Sequence, residues 1–272
     1  MSCPPDRFEA SDYALVGPTD NRIHELRTDR FPYNTVCHLG RNFGDGLLRG
    51  CSGVLIGPRR LLTAAHCLYS PKLGRPPLRV RVAPGRADRD RMPFGTIDAV
   101  AAYVPRRFIA PRSTEDRRDY DYGVVILERP FRQIQRFLPV RSVPDESWRD
   151  LRARTRLTVA GYPGDRPIGT LWRHSEVLRR LGPRRLFYTV DTCPGHSGSP
   201  IWADLPGGPA LVGVHTSGIL DEQGRSYGSA PGTVLAPPGT LNSGVRLTPS
   251  VIANLRDPER RVGGERPMVR VL

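Results

Sequence analysis

The stretch Cys193-Pro194-Gly195-His196-Ser197-Gly198-Ser199-Pro200 decides the fold of this chain. It places a serine in a glycine-rich turn between two segments that are predicted to be strands. Upstream, Leu62-Thr63-Ala64-Ala65-His66-Cys67 supplies a histidine, and Asp119-Tyr120-Asp121-Tyr122-Gly123 supplies an aspartate before an apolar strand. Serine is a weak nucleophile at neutral pH and needs a neighbouring base to take its proton. The chain therefore contains a candidate nucleophile, a candidate base and a candidate group to orient that base.

The three segments follow the order histidine, aspartate, serine, which is the order in chymotrypsin-like proteases; subtilisins and α/β-hydrolases use other orders. With these segments, Cys51, and Cys67 directly after the histidine, the chain resembles the chymotrypsin-like serine proteases from about Leu15 to Leu255. Within that family it is most similar to the bacterial glutamyl endopeptidases. The resemblance implies an all-β fold of two packed six-stranded antiparallel β-barrels with the active site in the cleft between them.

The distribution of apolar residues favours the same fold class on separate grounds. The 272 residues include 28 glycines and 28 prolines, which separate short apolar runs such as Gly53–Gly57, Gly123–Leu127 and Ala210–Val214. These runs have the length of strands and several are rich in β-branched residues. Such spacing predicts an all-β sandwich or barrel.

The resemblance also predicts how the chain is divided. Residues 15–255 form the protease domain, with a first barrel at about 33–130, a second at about 151–247 and a C-terminal helix at 248–255. Residues 1–14 are either a pro-segment or a disordered extension, and residues 256–272 form a basic tail.

Local signals support two helices and one long loop. Thr248 followed by Pro249 is typical of a helix start. A short connecting helix is expected at Asp145–Leu151, and the Gly- and Pro-rich segment Asp221–Leu241 is expected to be a long loop near the substrate cleft.

The resemblance implies a role for each catalytic residue. Ser197 attacks the scissile carbonyl, and His66 takes its proton and returns it to the leaving amine, a role suited to histidine because this residue type ordinarily titrates near neutral pH. Asp121 directly precedes the apolar strand and orients His66, with Asp119 as the alternative for this role. The backbone N–H groups of Gly195 and Ser197 form the oxyanion hole.

His196 marks a departure from trypsin. Trypsin-type zymogens carry an aspartate immediately before the serine, and it receives a new N-terminal ammonium after cleavage. A histidine cannot form that ion pair, so we expect that any activation does not bury a new N-terminus beside His196. Glutamyl endopeptidases also lack the aspartate, which favours that branch.

Two signals for substrate preference conflict. Asp191 lies six residues before Ser197, where trypsin carries the aspartate that binds Arg or Lys, but glutamyl endopeptidases also carry Asp-Thr here. His215 resembles the family's ligand for an acidic side chain, with Thr192 as an added hydroxyl donor; a buried structural histidine is the alternative reading of His215. Cleavage after Glu or Asp is the favoured prediction, and trypsin-like specificity set by Asp191 remains open.

The residues after His215 complete the predicted substrate site. Thr216, Ser217 and Gly218 are expected to bind substrate, because free backbone groups of Ser217 and Gly218 can pair with an extended peptide as an added strand. Resistance to self-digestion also favours acidic specificity, since the chain has 40 arginines but only nine glutamates.

Five cysteines leave at least one unpaired. The family pairs Cys51 with Cys67, and in the chain-entropy model such a loop stabilises by about 3 kcal/mol. Cys3, Cys37 and Cys193 have no evident partners, and no second bridge is expected at Cys193 because no cysteine follows it. Metal-binding motifs such as H-E-x-x-H and C-x-x-C are absent, so no metal and no other cofactor is expected.

The net charge of +14 comes from 40 arginines and one lysine scattered along the chain. This scatter predicts a basic surface and no nucleic-acid partner, and no apolar run is long enough to span a membrane. The expected partner is a protein or peptide substrate of a monomeric enzyme. The absence of a signal peptide favours the cytoplasm, whereas the Cys51/Cys67 pair favours secretion.

Three other functions remain open from the sequence. A catalytically inactive homologue that serves as a binding module is disfavoured because every triad position is filled. A nucleic-acid-binding protein is disfavoured because no such motif accompanies the charge. An esterase or acyltransferase would share the acylation chemistry, and only substrates would distinguish it.

Overall fold

The computed structural model describes residues 19–151, 155–220 and 241–272. Within these ranges the chain forms two antiparallel sheets. The N-terminal strand is β1 (Ile23–His24). The strands of the first barrel are β2 (Val36–Asn42), β3 (Leu48–Gly57), β4 (Arg60–Thr63), β5 (Arg79–Pro84), β6 (Ile97–Pro105) and β7 (Gly123–Leu127). The strands of the second barrel are β8 (Arg156–Gly161), β9 (Trp172–Leu181), β10 (Arg185–Tyr188), β11 (Pro200–Leu205), β12 (Gly208–Leu220) and β13 (Leu241–Arg246), and the last strand is β14 (Met268–Arg270).

Both sheets close into barrels. In the first, the order β2-β3-β4-β7-β6-β5 returns to β2 through the β2–β5 pairing. In the second, the order β8-β9-β10-β13-β12-β11 returns to β8. The predicted fold of two six-stranded antiparallel barrels is therefore confirmed. Each barrel also carries an extra strand, since β1 pairs with β9 and β14 pairs with β6.

Alternation along the strands explains how an arginine-rich chain forms these barrels. In β5, Arg79 and Arg81 are exposed, whereas Val80 and Val82 are buried in the first barrel. Successive strand residues face opposite sides, so the arginines reach solvent while the valines fill the interior. The arginines of β5 thus lie on the barrel surface, although Arg41, Arg185 and Arg246 on other strands are buried.

Three apolar clusters form the core. One fills the first barrel around Leu39 and Val82, and another fills the second around Leu186 and Val212. The third packs residues from both barrels against each other, including Val54, Leu62, Tyr122, Ala160, Trp202 and Val214. This shared cluster holds the two barrels together along the face where the candidate site lies.

In the described residues, four α-helices connect or flank the strands: α1 (Arg106–Ile109), α2 (Thr114–Asp119), α3 (Asp145–Leu151) and α4 (Pro249–Arg256). The range of α3 matches the expected connecting helix. The expected C-terminal helix is present as α4, one residue later than predicted, and the side chain of Thr248 caps it by accepting from the backbone N–H of Val251. No described helix is long and apolar enough to cross a membrane.

The C-terminal residues are part of the described fold, whereas the first residues of the chain are not among those described. Residues 256–272 include β14, which pairs antiparallel with Tyr103–Pro105 on β6, so this basic tail adds to the first barrel. The predicted pro-segment or disordered extension at 1–14 lies outside the described residues, and so does the loop expected at 221–241, except for its last residue.

Candidate active site

His66 and Asp121 are joined by two hydrogen bonds. The Nδ1 atom of His66 lies 2.7 Å from Oδ2 of Asp121, and the backbone N–H of His66 donates to Oδ1 at 3.0 Å. Both residues are buried. Asp119, the alternative, ends α2 and is half-buried; burial raises its pKa, while Arg185 and Arg184 act in the opposite direction. It is Asp121, therefore, whose carboxylate orients the imidazole.

Neighbouring strand ends bring this pair together. β4 and β7 run antiparallel, with Thr63 opposite Gly123. The chain leaves β4 at Thr63 and enters a short 3-10 turn that contains His66, while Asp121 immediately precedes β7 at the same edge. The apolar residues of the two strands thus fix the distance between two polar residues just outside them.

The turn with Ser197 packs against the segment that carries His66. Gly198 has a φ of +84°, and a Cβ atom there would overlap Thr63 Oγ1 and the carbonyl oxygen of Ser52. Glycine is therefore required both for backbone conformation and for close approach. The backbone N–H of Ser52 donates to the carbonyl oxygen of Ser197 at 2.9 Å, which ties the turn to β3.

Gly195 is held on both sides. Its φ is +102°, and a Cβ atom would overlap the carbonyl oxygen of Tyr162. The carbonyl oxygen of Pro194 accepts from the N–H of Gly164 at 2.7 Å, so the N–H of the same trans peptide, that of Gly195, points the opposite way. The hydroxyl of Ser52 donates to the carbonyl oxygen of Gly195 at 2.7 Å.

Two backbone donors are left available by this arrangement. Within the described ranges, the N–H groups of Gly195 and Ser197 donate to no protein acceptor. Preorganised donors of this kind stabilise negative charge on a tetrahedral intermediate. The geometry can thus support attack by a serine on a carbonyl group.

His196 is buried inside its own turn. Its Nδ1 accepts from the backbone N–H of Cys193 at 3.1 Å. Burial, followed by the charge of Arg22, lowers the pKa of His196 to about 3, so the ring is neutral at physiological pH. Its contacts are those of a structural residue that stabilises the turn.

The carboxylate of Asp191 is buried and engaged. Its Oδ2 accepts from the backbone N–H of Asn21 at 2.8 Å and lies 3.2 Å from Nδ1 of His174. The backbone N–H of Asp191 donates to the same Nδ1 at 2.8 Å. Asp191, which precedes the turn that contains Ser197, thus contacts both the segment before β1 and strand β9.

His215 lies on β12 beside the turn that contains Ser197, which we call the nucleophile turn. The carbonyl oxygen of His215 accepts from the N–H of Gly198 in this turn at 2.8 Å. Its Nδ1 lies 2.7 Å from the hydroxyl oxygen of Tyr188. Burial and the neighbouring His196 and His66 hold the pKa of His215 well below its ordinary value. Thr192 is also fully buried, and its hydroxyl has no hydrogen-bond partner within the described part of the chain.

The remaining predicted substrate residues continue along β12. The hydroxyl oxygens of Thr216 and Ser217 lie 3.4 Å apart, and Ser217 is opposite Ser243 on β13. Thr216 is buried, whereas Ser217 and Gly218 are partly exposed. Ser217 and Gly218 are therefore the members of this group that a substrate backbone can reach.

The predicted disulfide between Cys51 and Cys67 is present, with an S–S distance of 2.05 Å and Cα atoms 6.5 Å apart. It joins β3 to the turn that contains His66. The ligand atoms of Cys51, His66 and Cys67 lie within 4.8 Å of one another, but both sulfurs are consumed by the disulfide and are not thiolates for a metal.

The expectation that Cys193 has no bridge is wrong. Cys193 is disulfide-bonded, whereas Cys37 is a buried free thiol. The expectation considered only cysteines later in the chain, but bridging depends on proximity in the fold. Bridged cysteines persist in oxidising compartments, so they do not support the favoured cytoplasmic location and point to secretion.

Two residues of the site have no signal in the sequence. The hydroxyl of Ser52 donates to the Gly195 carbonyl, and the hydroxyl of Tyr188 contacts Nδ1 of His215. Ser52 directly follows Cys51, and Tyr188 lies in an apolar strand-like run, but neither position stands out without the register of the strands. Strand pairing across each barrel was needed to find them.

Comparison with known proteins agrees with this geometry. The Trypsin family model matches residues 21–233. A glutamyl endopeptidase of Bacillus licheniformis is 28% identical over 256 residues, covering 92% of this chain and 71% of the relative. A Bacillus subtilis protein named extracellular metalloprotease is 28% identical over 245 residues, covering 89% of this chain and 69% of its own length.

A solved structure shares the fold. The structure of a Glu endopeptidase in complex with MPD superimposes with a TM-score of 0.69 at 23% identity, covering 89% of this chain and 98% of the other. The family match spans most of the chain, and the two-barrel fold is the same. The chain therefore belongs to the trypsin family, as a chymotrypsin-like serine endopeptidase near the glutamyl endopeptidase branch.

Proposed function

We propose that this protein hydrolyses peptide bonds after acidic residues, through an acyl-enzyme formed on Ser197. His66 takes the hydroxyl proton as the serine oxygen bonds to the scissile carbonyl carbon. Asp121 keeps the imidazole in position and stabilises its charged form. The N–H groups of Gly195 and Ser197 donate to the oxyanion.

The two half-reactions return the enzyme to its starting state. The carbon–nitrogen bond of the intermediate breaks as His66 gives its proton to the leaving amine, which leaves an ester on Ser197. A water molecule then loses a proton to His66 and attacks this ester. Collapse of the second intermediate releases the carboxylic acid and restores the serine hydroxyl.

The observation that carries the acidic preference is the pair of buried polar groups beside the nucleophile turn. His215 is a neutral imidazole with one N–H to donate, and the buried hydroxyl of Thr192 has no partner in the described residues. A buried polar group without a partner carries a free-energy cost that a substrate acceptor can relieve. A carboxylate supplies such acceptors, and the relatives named glutamyl endopeptidase support the same preference.

Trypsin-like specificity set by Asp191 is the second candidate. It requires a carboxylate at the base of the pocket that is open to a substrate cation. Asp191 instead accepts from Asn21 and adjoins His174, and it is buried. A substrate arginine would have to displace these contacts, which makes this candidate the weaker one.

Matched peptides that differ only at the cleaved position test the proposal. With Glu, Gln, Ala and Arg compared, we expect the highest kcat/KM for Glu, by at least about tenfold over Gln, because tenfold requires only ~1.4 kcal/mol of differential binding. Ser197→Ala is the control that should abolish both cleavage and labelling by a fluorophosphonate. Faster cleavage after Arg than after Glu would overturn the proposed specificity.

Several finer assignments belong to the same proposal. We expect an extracellular monomer with no nucleic-acid partner, in which residues 1–14 are either a pro-segment that is removed or an extension that is retained. Mass spectrometry of the mature protein would reveal whether residues before Leu15 are removed. Light scattering would report its oligomeric state, and salt-dependent binding to DNA or RNA would contradict the absence of a nucleic-acid partner.

A further inference from the structure

Tyr188 contacts His215, the candidate residue for binding a substrate carboxylate. It is fully buried on β10, and its hydroxyl oxygen is 2.7 Å from Nδ1 of the histidine. The two residues are on strands separated by β13, where Gly244 lies opposite both Leu186 and His215. The ring centroids of Tyr188 and His215 are 6.0 Å apart, so the two side chains meet across β13.

The surroundings of the Tyr188 hydroxyl determine whether the tyrosine or the histidine donates the hydrogen bond between them. In the described part of the chain, the Tyr188 hydroxyl contacts His215 and no other hydrogen-bonding group. Burial raises the pKa of Tyr188 well above its ordinary value, so the hydroxyl keeps its proton, while His215 is neutral. If Nδ1 carried the imidazole proton, the buried tyrosine proton would be left without an acceptor, which is costly.

We propose that Tyr188 is a positioning residue that fixes the tautomer of His215, donating to Nδ1 so that the histidine proton resides on Nε2. This inference rests on the proposed preference for acidic residues. A neutral imidazole has one donor and one acceptor nitrogen. With Nδ1 occupied by Tyr188, the histidine offers Nε2–H to a substrate carboxylate. The opposite tautomer would present a lone pair and repel it.

Replacement of the hydroxyl alone tests this role. In Tyr188→Phe we expect kcat/KM for a Glu peptide to fall roughly tenfold to a hundredfold, mostly through KM, as for a lost buried hydrogen bond. Cleavage after Ala should change less than about threefold, because that substrate does not use His215. The matched control is Tyr103→Phe. Tyr103 lies on β6 of the first barrel and its hydroxyl donates to Glu259, so its loss should leave kcat/KM for both substrates unchanged.

A spectroscopic measurement separates positioning from a general structural effect. Nitrogen chemical shifts of His215 in the free wild-type enzyme should report the Nε2–H tautomer, and in Tyr188→Phe they should report a mixture. A wild-type Nδ1–H tautomer would overturn the inference even if the variant fails to fold. Full Glu preference in a folded Tyr188→Phe would also overturn it.

The two proposals fail in different ways. If the wild-type enzyme itself does not prefer Glu, the proposed function fails, and the inference fails with it. If the wild type prefers Glu while Tyr188→Phe keeps both the preference and the tautomer, only the role of Tyr188 is wrong.

Discussion

The hydroxyl of Ser52 on the first barrel donates to the carbonyl oxygen of Gly195 on the second, at 2.7 Å. The same hydroxyl oxygen accepts from the backbone N–H of Tyr162 at 2.9 Å, and the Ser52 N–H donates to the carbonyl oxygen of Ser197. A single residue thus connects β3 to Tyr162 after β8 and to Gly195 and Ser197, which carry the proposed oxyanion donors in the segment Cys193–Ser199, called the oxyanion loop below. It aligns parts of the site that belong to different barrels.

Ser52→Ala should therefore impair catalysis more than substrate binding. The substitution leaves the Gly195 carbonyl and the Tyr162 N–H buried without their partner, and it frees the Gly195–His196 peptide, which lies between the two proposed oxyanion donors. We expect kcat to fall roughly tenfold to a hundredfold with KM nearly unchanged, which is less than the cost of deleting an oxyanion donor. Steady-state kinetics on a Glu peptide measures this directly.

Ser175→Ala is the matched control for Ser52→Ala. Ser175→Ala removes one hydroxyl hydrogen bond, to Thr158 at 2.8 Å between β9 and β8, whereas Ser52→Ala removes two. It should leave kcat within about twofold. Equal losses in the two variants, or a loss at Ser52 confined to KM, would mean that Ser52 does not position the oxyanion loop.

The two-barrel fold could be predicted because the short motifs around His66, Asp121 and Ser197 resemble one family in content and order, and the same motifs supply the candidate site residues. The turn around Ser197 and the residues around His66 carry their own local pattern, and β4 and β7 are obvious apolar strands. Ser52 and Tyr188 have no such pattern. Their roles depend on which strand residues face the nucleophile turn and His215, and a one-residue change of register would remove both.

Contacts between residues far apart in the sequence also limit what can be predicted. No local pattern indicates that Asp191 bonds to Asn21, 170 residues earlier in the chain. The bridge at Cys193 was missed for the same reason, because sequence order says little about proximity. Met268–Arg270 is too short for a periodic pattern to indicate β14, which pairs with Tyr103–Pro105 of β6, beyond the two β6 residues that β5 pairs.

Asp191→Asn distinguishes the two specificity candidates. If Asp191 supports structure, the variant should keep the ratio of kcat/KM for Glu to that for Arg within about threefold. The amide oxygen can still accept from Asn21, but a charged acceptor forms the stronger bond, so stability should fall slightly. Peptide kinetics and thermal unfolding on the same preparation give both numbers.

His215→Leu is the companion variant for that experiment. It removes the N–H donor from the pocket and should lower kcat/KM for Glu by roughly a hundredfold or more, while cleavage after Ala persists. An intact Glu preference in His215→Leu would contradict a role for His215 in specificity. Loss of cleavage after Arg in Asp191→Asn but not in His215→Leu would favour the trypsin-like candidate.

The Cys51–Cys67 disulfide should make a measurable contribution to stability. It spans a sequence separation of 16 residues, for which the chain-entropy model gives about 3 kcal/mol. Replacing both cysteines by alanine should reduce the free energy of unfolding by that amount in urea denaturation. Cys37→Ala is the control, since that thiol is free; a larger effect there than at the disulfide would contradict the prediction.

Stability should decline as the pH falls below 6.5. Burial lowers the pKa of His38 to about 3, with Arg86 and Arg41 adding to the effect, and the pKa of His196 is likewise about 3. Both rings stay neutral in the folded protein but bind a proton in the unfolded chain below pH 6.5. Their stabilisation is complete above pH 6.5 and is lost progressively down to pH 3, by about 1.4 kcal/mol per pH unit for each histidine.

Urea denaturation at pH 7, 6 and 5 tests this slope, and His38→Gln isolates one contribution. His38 Nδ1 lies 3.1 Å from the guanidinium of Arg86, and a glutamine oxygen can accept from the same donor. Because glutamine does not titrate, the slope between pH 6 and 5 should decrease by about 1.4 kcal/mol per pH unit in the variant. An unchanged slope would mean that His38 is already protonated in the folded protein, against the burial and the arginine contact that hold it neutral.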